Sequence, residues 1–460
     1  MIQSSRVCWL IAVSALLSAC AGFSPEWSST DVTPPKAPVA RARAITPPTI
    51  NVDKESVEDL KAPYSDLWNR IRDGFALDDL DSPLVIKHVR WYADRPDYVD
   101  RMMSRSSRFL FYIVEEVERR KMPMEFALLP FTESAFNPAA YSRAKASGMW
   151  QFMPATGKDY KLTQNIFRDE RRDVIQSTEA ALDYLQRLYK MFGDWNLVLA
   201  AYNWGEGNVT KAIKKNQAQG LPTDYLSLRM PDETRNYVPK LMAVKRLVMD
   251  PKAYGLTLPE LENHPYFVVV TTEKDIDVDL VAKFARMSVD EFKSLNPSFN
   301  KPVILGASEP QILLPFGRAE SFQENLRSFT GKLSSWTAIR LGNRETVDQL
   351  AKRLNVDASH IREINNIPKG MAIKAGSTVI IPKNHRGKDV PDYLAENATI
   401  SLEREVANKK KSAKAAAKGK KAQNSSGSTR STKAKSTKKP AKKETGKKEA
   451  SKKDSAKHSG

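Results

Sequence analysis

Cysteine is nearly absent from this 460-residue chain, which contains only Cys8 and Cys20. A disulfide framework or a four-cysteine zinc site is therefore excluded. The five histidines lie far apart in the sequence and show no metal-ligand spacing, so we expect no metal and no cofactor. Long apolar runs are also missing, since none reaches the roughly 18 residues that a membrane-spanning helix needs.

Basic residues greatly outnumber acidic ones only at the C-terminal end of the chain. The 73 Lys and Arg outnumber the 54 Asp and Glu, which gives a formal charge of +19. Residues 409–460 hold 19 of these basic residues and three acidic ones, a net charge of +16. The rest of the chain is nearly neutral. The tail has neither interleaved aromatic residues nor a base-reading motif, so we expect no nucleic-acid partner.

The N-terminus has the features of an export signal. Arg6 precedes an apolar segment from Val7 to Leu17 that is too short to span a bilayer. The segment ends in Leu-Ser-Ala-Cys20, which resembles the bacterial lipobox, whose cysteine is acylated. The resemblance implies a signal peptide at 1–19, a lipid anchor at Cys20 in the outer membrane facing the periplasm, and a Pro/Ser/Thr-rich tether at 20–60. An ordinary secretory signal with a chance cysteine is the alternative.

Apolar residues recur at helical spacing across residues 61–252. One such face consists of Leu110, Ile113, Val114 and Val117. Gly193 follows another series as a helix stop, and Asp194 is placed to cap the next helix. Strand-like alternation is missing here. The pattern predicts one all-α domain.

Two copies of one unit follow this region. Ala282 precedes Asn296 by 14 residues, and Ala351 precedes Asn365 by the same 14 residues. Each copy closes with an apolar run and a proline, so the pattern indicates an internal duplication of a strand, two short helices and a strand. Residues 335–383 resemble the LysM module, a peptidoglycan-binding βααβ fold, and 264–317 resemble a diverged copy. A purely structural repeat is the alternative.

These segments together predict an α+β multidomain protein. The helical domain at 61–252 is followed by two small βααβ modules and a Lys-rich tail at 397–460. The tail contains mainly Lys, Ala, Ser, Thr and Gly, which cannot bury a core, so we expect it to be disordered. Its charge favours contact with anionic polymers of the cell envelope. A solubilising tail without a partner is the alternative.

Three segments of the helical region carry chemistry. Glu133 ends an apolar stretch, where partial desolvation would raise its pKa and keep it protonated as a general acid requires. Residues 148–154 and 201–207 combine aromatic, amide and glycine residues. Aromatic faces stack on sugar rings and amides bind their acetamido groups, although any one aromatic residue is more often part of a core.

The order of these motifs resembles the goose-lysozyme-like lytic transglycosylases. The matching segments are Glu133-Ser134, Gly148-Met149-Trp150-Gln151, Ala201-Tyr202-Asn203 and a helical Tyr237. The residues that make up these motifs, and the LysM-like modules that follow them along the chain, are similar to those of the membrane-bound lytic murein transglycosylase D subgroup. The resemblance implies a lysozyme-like fold and cleavage of peptidoglycan glycan strands between MurNAc and GlcNAc, with formation of 1,6-anhydro-MurNAc in cell-wall turnover.

The same resemblance assigns roles to individual residues. Glu133 is implied as the sole catalytic acid and base. The implied substrate-binding residues are Ser134, Gly148, Met149, Gln151, Ala201, Tyr202, Asn203 and Tyr237. The region contains four candidates for a second catalytic acid: Asp159, Asp169, Asp173 and Glu206. None of them occupies the position of a nucleophile in the matched motifs. A goose-type lysozyme that hydrolyses the same bond with water is one alternative. A non-catalytic cell-wall-binding lipoprotein is the other, and the intact Glu133 motif argues against it.

Overall fold

A computed structural model of the protein describes residues 64–383 and 388–405. The predicted signal peptide, Cys20, the tether at 20–60 and the tail from residue 406 onward lie outside the described residues. None of the helices within the described ranges combines the length and apolar composition needed to cross a bilayer. The described residues divide into two compact units, one formed by 64–337 with 383 and 388–397, and the other by 338–382 with 398–405.

The helical domain confirms the all-α prediction. Its helices are α1 Leu67–Asp73, α2 Pro83–Ala93, α3 Pro96–Ser106, α4 Leu110–Arg119, α5 Leu129–Ser134, α6 Pro154–Asp159, α7 Val174–Phe192, α8 Trp195–Trp204, α9 Glu206–Gln217 and α10 Asp232–Met249. Short 3₁₀ turns precede α5 at Met124–Leu128 and α7 at Glu170–Arg172.

Local signals explain several of these boundaries. The four apolar residues predicted to share a face of α4 are all completely buried. Gly193 ends α7 with a φ of 67°, a left-handed conformation that favours glycine. The Asp194 carboxylate then accepts a hydrogen bond from Leu197 N at 2.8 Å and caps α8. The predicted helix ends are therefore confirmed.

A buried ion pair holds together the elements that support α5 and α10. Glu125 is completely buried, and its carboxylate accepts hydrogen bonds from Ala76 N at 3.1 Å and Leu77 N at 3.0 Å. Lys245 Nζ of α10 lies 3.1 Å from Glu125 Oε1 and donates to Leu77 O at 2.7 Å. Removing Lys245 would leave the buried Glu125 without a charged partner, at a cost of about 3–5 kcal/mol, whereas Lys245 would keep Asp79 at 3.3 Å if Glu125 were removed.

The first small module is built as predicted and extends further. Its elements are β1 Phe267–Val270, β2 Ile276–Asp277, α11 Val278–Phe284, α12 Val289–Leu295, β3 Val303–Ile304, β4 Ile312–Pro315 and α13 Ala319–Ser328. Strand β1 pairs antiparallel with β4, and β2 with β3. The packed unit continues past the predicted boundary at 317, because α13 buries Phe322 in its core.

The first module also shares its core with the helical domain. Phe267, Leu295 and Leu313 belong to the hydrophobic core of that domain. The backbone joins the two as well, since Asp169 N donates to Ser298 O at 2.9 Å. The module is therefore packed onto the helical domain as one body.

The second module repeats this plan. Its elements are β5 Trp336–Arg340, β6 Glu345–Thr346, α14 Val347–Leu354, α15 Ala358–Ile364, β7 Met371–Ile373 and β8 Thr378–Pro382. Strand β5 pairs with β8. After helix α16, Asp392–Glu396, strand β9 at Leu402–Arg404 pairs antiparallel with β7. The expectation of a structureless chain from 397 is wrong for this segment, because β9 satisfies the free edge of β7.

One buried asparagine in each module confirms the duplication. Asn296 Nδ2 donates to the carbonyl four residues earlier at 3.1 Å and to Leu313 O at 2.8 Å, and its Oδ1 accepts from Leu313 N at 2.8 Å. Asn365 makes the same three bonds at 2.9, 2.7 and 2.8 Å, with Ile380 in the place of Leu313. These amides tie the second helix to the last strand, so their role lies in the fold.

Candidate active site

Helix α5 ends abruptly just after Glu133 and Ser134. Ala135 and Phe136 follow with φ values of 51° and 57°, a left-handed pair that costs free energy in non-glycine residues. The buried ring of Phe136 packs 4.4 Å from that of Phe131, and burial of these rings offsets the strain. The sharp end places the Glu133 side chain at the C-terminal end of α5.

The Glu133 carboxyl is partly buried and accepts a hydrogen bond from the Tyr237 hydroxyl of α10. Burial raises the pKa of Glu133 to about 7, against the opposing effect of the Tyr237 hydrogen bond. The negative charge of Glu233 raises this pKa further, and the positive charge of Lys240 lowers it. About half of the Glu133 population is therefore protonated near pH 7. Such a group can donate a proton and take one back.

The loop around Gly148 is fixed against this helix. Gly148 has a φ of 87°, and a Cβ atom there would lie 1.7 Å from Arg171 O. Ser134 Oγ donates to Met149 O at 3.0 Å, which ties the loop to the end of α5. Gln151 Nε2 donates to Gly148 O at 2.8 Å. Gly148 and Ser134 therefore position the loop.

Several residues predicted to contact a sugar have buried side chains. The side chains of Met149 and Ala201 are completely buried, so neither side chain can touch a substrate, and both residues contribute hydrogen bonds through their carbonyl groups. Trp150 is completely buried as well, with its Nε1 donating to Thr178 Oγ1 at 2.9 Å. Tyr202 donates its hydroxyl to Trp150 O at 2.9 Å. Core packing therefore replaces the expected sugar stacking at Trp150.

Helix α10 connects the remaining site residues. Tyr237 is helical as predicted and lies inside α10, which starts at Asp232. Thr234 Oγ1 donates to Asn203 Oδ1 at 2.8 Å. This bond orients the Asn203 amide so that its Nδ2 can donate to an incoming carbonyl group. The side chains of Glu133, Asn203 and Tyr237 are thus linked through one helix.

Three of the four other acids of the region serve the fold, and the fourth, Asp159, is exposed. Glu206 forms an ion pair with Arg187 at 2.7 Å, which lowers its pKa against the effect of burial. Asp169 pairs with Arg171 at 2.7 Å, and Asp173 caps the N-terminus of α7. Within residues 64–383 and 388–405, no three His, Cys, Asp or Glu side chains gather in a way that could hold a metal ion.

Sequence reasoning missed three residues that tune the site: Glu233, Thr234 and Lys240. All three lie on α10 four residues before, three before and three after Tyr237. Residues at these spacings share a helix face. Because Tyr237 was predicted to be helical, the residues three and four positions from it could have been predicted to lie near the site.

Comparison with known proteins agrees with the geometry. Residues 112–222 match the transglycosylase SLT domain, and residues 266–331 match the LysM-like domain of lytic transglycosylase MltD. The membrane-bound lytic murein transglycosylase D of Escherichia coli strain K12 is 36% identical over 335 residues, which are 70% of this chain and 73% of that protein. This chain belongs to the lytic murein transglycosylase D family. It is a lytic transglycosylase.

Two further similarities cover less of this transglycosylase. A putative tributyltin chloride resistance protein of Alteromonas sp. strain M-1 is 38% identical over 179 residues, 38% of this chain and 84% of that protein. The crystal structure of the 70 kDa soluble lytic transglycosylase of Escherichia coli aligns with 37% of this chain and 30% of that one, at 21% identity and a TM-score of 0.26.

The pKa of Glu133 predicts that a plot of kcat/KM against pH has an alkaline limb, in which activity falls as the pH rises. Because a general acid must be protonated, kcat/KM should fall about tenfold per pH unit above roughly pH 7. Removing the charge of Glu233, which raises this pKa, should move the limb of Glu233→Gln to lower pH. Replacing Lys240, which lowers it, should move the limb of Lys240→Met to higher pH. The measurement is kcat/KM against pH on soluble glycan strands.

The matched control is Glu320→Gln, which removes an exposed carboxylate from α13. Its pH profile should overlay that of the wild type. Identical alkaline limbs in all four proteins would show that another group controls the activity.

Proposed function

We propose that this enzyme cleaves the β-1,4 bond between MurNAc and GlcNAc in peptidoglycan and closes MurNAc into a 1,6-anhydro ring. The observation that carries the proposal is Glu133, a carboxyl with a pKa of about 7 that is held by Tyr237. A water-dependent glycosidase normally needs two carboxylates. One suffices when the attacking group belongs to the substrate.

The reaction proceeds in two proton transfers through the same carboxyl. Glu133 first donates its proton to the glycosidic oxygen, and the bond from that oxygen to C1 of MurNAc breaks. The N-acetyl carbonyl of the same sugar eases the positive charge that develops at C1. The Glu133 carboxylate then takes the proton of the C6 hydroxyl, whose oxygen bonds to C1. This attack is intramolecular and has a high effective molarity, so it outcompetes water.

The neighbouring residues position the reactants. Tyr237 orients Glu133 and stabilises its carboxylate after the first transfer, since a hydrogen bond to the charged form favours that form. Gln151 and Asn203 bind the acetamido or lactyl-peptide groups of the strand. Ser134 and Gly148 hold the loop that carries Gln151.

Hydrolysis by water, as in a goose-type lysozyme, is the second candidate. Glu233 favours it, because this exposed carboxylate lies close enough to raise the pKa of Glu133 and could accept a proton from water. Mass spectrometry of the sugar ends released from purified sacculi separates the two. We expect anhydro ends, one water lighter than reducing ends. Reducing ends alone would overturn the proposal, and binding without any release would favour a non-catalytic wall-binding protein.

The enzyme is proposed to act from the outer membrane, facing the periplasm, through acylated Cys20. The support is the lipobox-like sequence before that cysteine, and the name of the Escherichia coli relative agrees with envelope association. Replacing Cys20 with serine should release the mature protein from the outer-membrane fraction. Retention of the Cys20→Ser protein in that fraction would contradict the anchor.

The second module and the basic tail are proposed to hold the enzyme on the wall and on anionic envelope polymers. Chains that end at residue 460, 408 or 334 test both. Loss of the tail should weaken binding to sacculi at low salt but hardly at high salt, because exposed charges are screened. Loss of 335–408 should weaken binding at every salt concentration. Equal binding of all three chains would mean that the tail only keeps the protein soluble and that the second module is a purely structural repeat.

A further inference from the structure

A cleft of about 970 Å³ opens between α2, α3, α5 and α10, and it is cationic. Most of its wall comes from residues 83–98, outside the segment that matches the SLT domain. Four basic side chains line it, against the single acid Asp94: Lys87, Arg90, Arg95 and Lys240. A neutral sugar strand gains little from such a charge balance, whereas a carboxylate-bearing ligand gains much.

An exposed tryptophan provides an aromatic surface in the wall of this cleft. Trp91 is 40% exposed although its indole is held in place on several sides. Its ring meets Tyr98 edge-on at 5.3 Å, and the Arg95 guanidinium lies 4.6 Å from its centre. Arg95 Nη1 also donates to Trp91 O at 2.9 Å. A fixed, open indole beside cations suits a ligand with both an apolar surface and a negative charge.

The cleft adjoins the end of α5 that carries Glu133, although Glu133 itself does not line it. Thr132, which directly precedes Glu133, lines the cleft, and so does Lys240, three residues after Tyr237. His88 Nε2 lies 2.8 Å from Asn236 Oδ1, which fixes α2 against α10 beside Tyr237. Burial lowers the pKa of His88 against the effect of the Asn236 hydrogen bond, and the charges of Lys240 and Lys87 lower it further, so the neutral imidazole is favoured. The cationic wall therefore consists of Lys and Arg alone.

We propose that this cleft binds the peptide stem of the MurNAc residue, with the stem carboxylates paired to the cationic wall. The stem hangs from the lactyl group of the same sugar that reacts, so a cleft adjoining Glu133 is where it would lie. Binding there makes the enzyme favour peptide-bearing strands over peptide-free strands. The proposal rests on the proposed function, because it names the part of that substrate which this cleft recognises.

The test compares KM on peptide-bearing strands with KM on strands of equal length stripped by an amidase. Lys87→Gln/Arg90→Gln removes two exposed charges and leaves Trp91 and its Arg95 contact in place. We expect KM on peptide-bearing strands to rise about tenfold, as the loss of two exposed ion pairs implies, with kcat unchanged. KM on stripped strands should not change. The control Lys283→Gln/Lys293→Gln removes the same charge from exposed positions of the first module.

Each other outcome overturns the inference. An equal rise of KM on both substrates would assign the cleft to the sugar strand, and no rise would leave it without a role in substrate binding. Loss of binding to vesicles containing anionic lipid, with KM retained on peptide-bearing strands, would assign the charges to the membrane. If the wild type releases anhydro ends but shows no preference between the substrates, only the inference fails. If it releases none, the proposed function itself fails.

Discussion

Glu133→Gln should abolish product release from sacculi and leave the fold intact. The amide has nearly the shape of the carboxyl and can still accept the hydrogen bond from Tyr237, but it has no proton to transfer. Loss of a general acid and base costs about 10² to 10⁴ in rate. Asp169, Asp173 and Glu206 are bound to other groups of the fold and cannot substitute. The measurement is the initial rate of muropeptide release.

Thermal unfolding and sacculus binding of the Glu133→Gln protein are measured as controls for its fold. Sacculus binding should match the wild type. Thermal stability should match it only near pH 4, and between about pH 5 and pH 8 the variant should be the more stable protein, because the unfolded wild-type chain ionises at residue 133 at a lower pH than the folded protein does. The raised pKa means that the ionised Glu133 carboxyl destabilises the folded state, and glutamine never ionises. Turnover near the wild-type rate would move the chemistry away from Glu133.

Gly148→Ala should reduce both stability and activity strongly. The added Cβ would lie 1.7 Å from Arg171 O, and the φ of 87° is unfavourable for any side chain. The backbone must therefore shift, which breaks the Ser134–Met149 bond that ties this loop to α5. We expect a loss of at least about 2 kcal/mol in the free energy of unfolding. Urea unfolding and product release measure the two effects.

Gly193→Ala is the matched control for this substitution. Gly193 has a similar φ of 67°, but a Cβ atom there meets nothing within 4 Å. It should lose only the cost of the left-handed conformation, about 1 kcal/mol, and keep full activity. Equal losses in the two variants would show that steric contact with Arg171 has no part in holding the loop.

The sequence was informative wherever the signal is local. Helix periodicity placed the apolar face of α4, and the Gly193-Asp194 pair marked the end of one helix and the cap of the next. The equal spacing of Ala282–Asn296 and Ala351–Asn365 revealed the duplication before the matching hydrogen bonds of the two asparagines were known. Each of these features depends on residues within a few turns of one another.

Local sequence signals do not predict which side chains of a segment are buried. Met149, Trp150 and Ala201 lie in segments whose composition suits a sugar site, yet their side chains are completely buried. Composition does not distinguish a face turned to the cleft from one turned to the core, because only the packing of distant helices decides between them. The same applies to Trp91, which the sequence did not single out and which the fold leaves 40% exposed beside a cationic wall.

By itself the sequence determined the helical domain, the duplicated modules and the position of Glu133 at the end of an apolar stretch. The tertiary structure decided the chemistry available to that carboxyl. Tyr237, which binds it, lies 104 residues further along the chain, and Glu233 and Lys240 act on its pKa from the same helix. A pKa depends on distance and desolvation in space, so no local pattern around residue 133 could have supplied it.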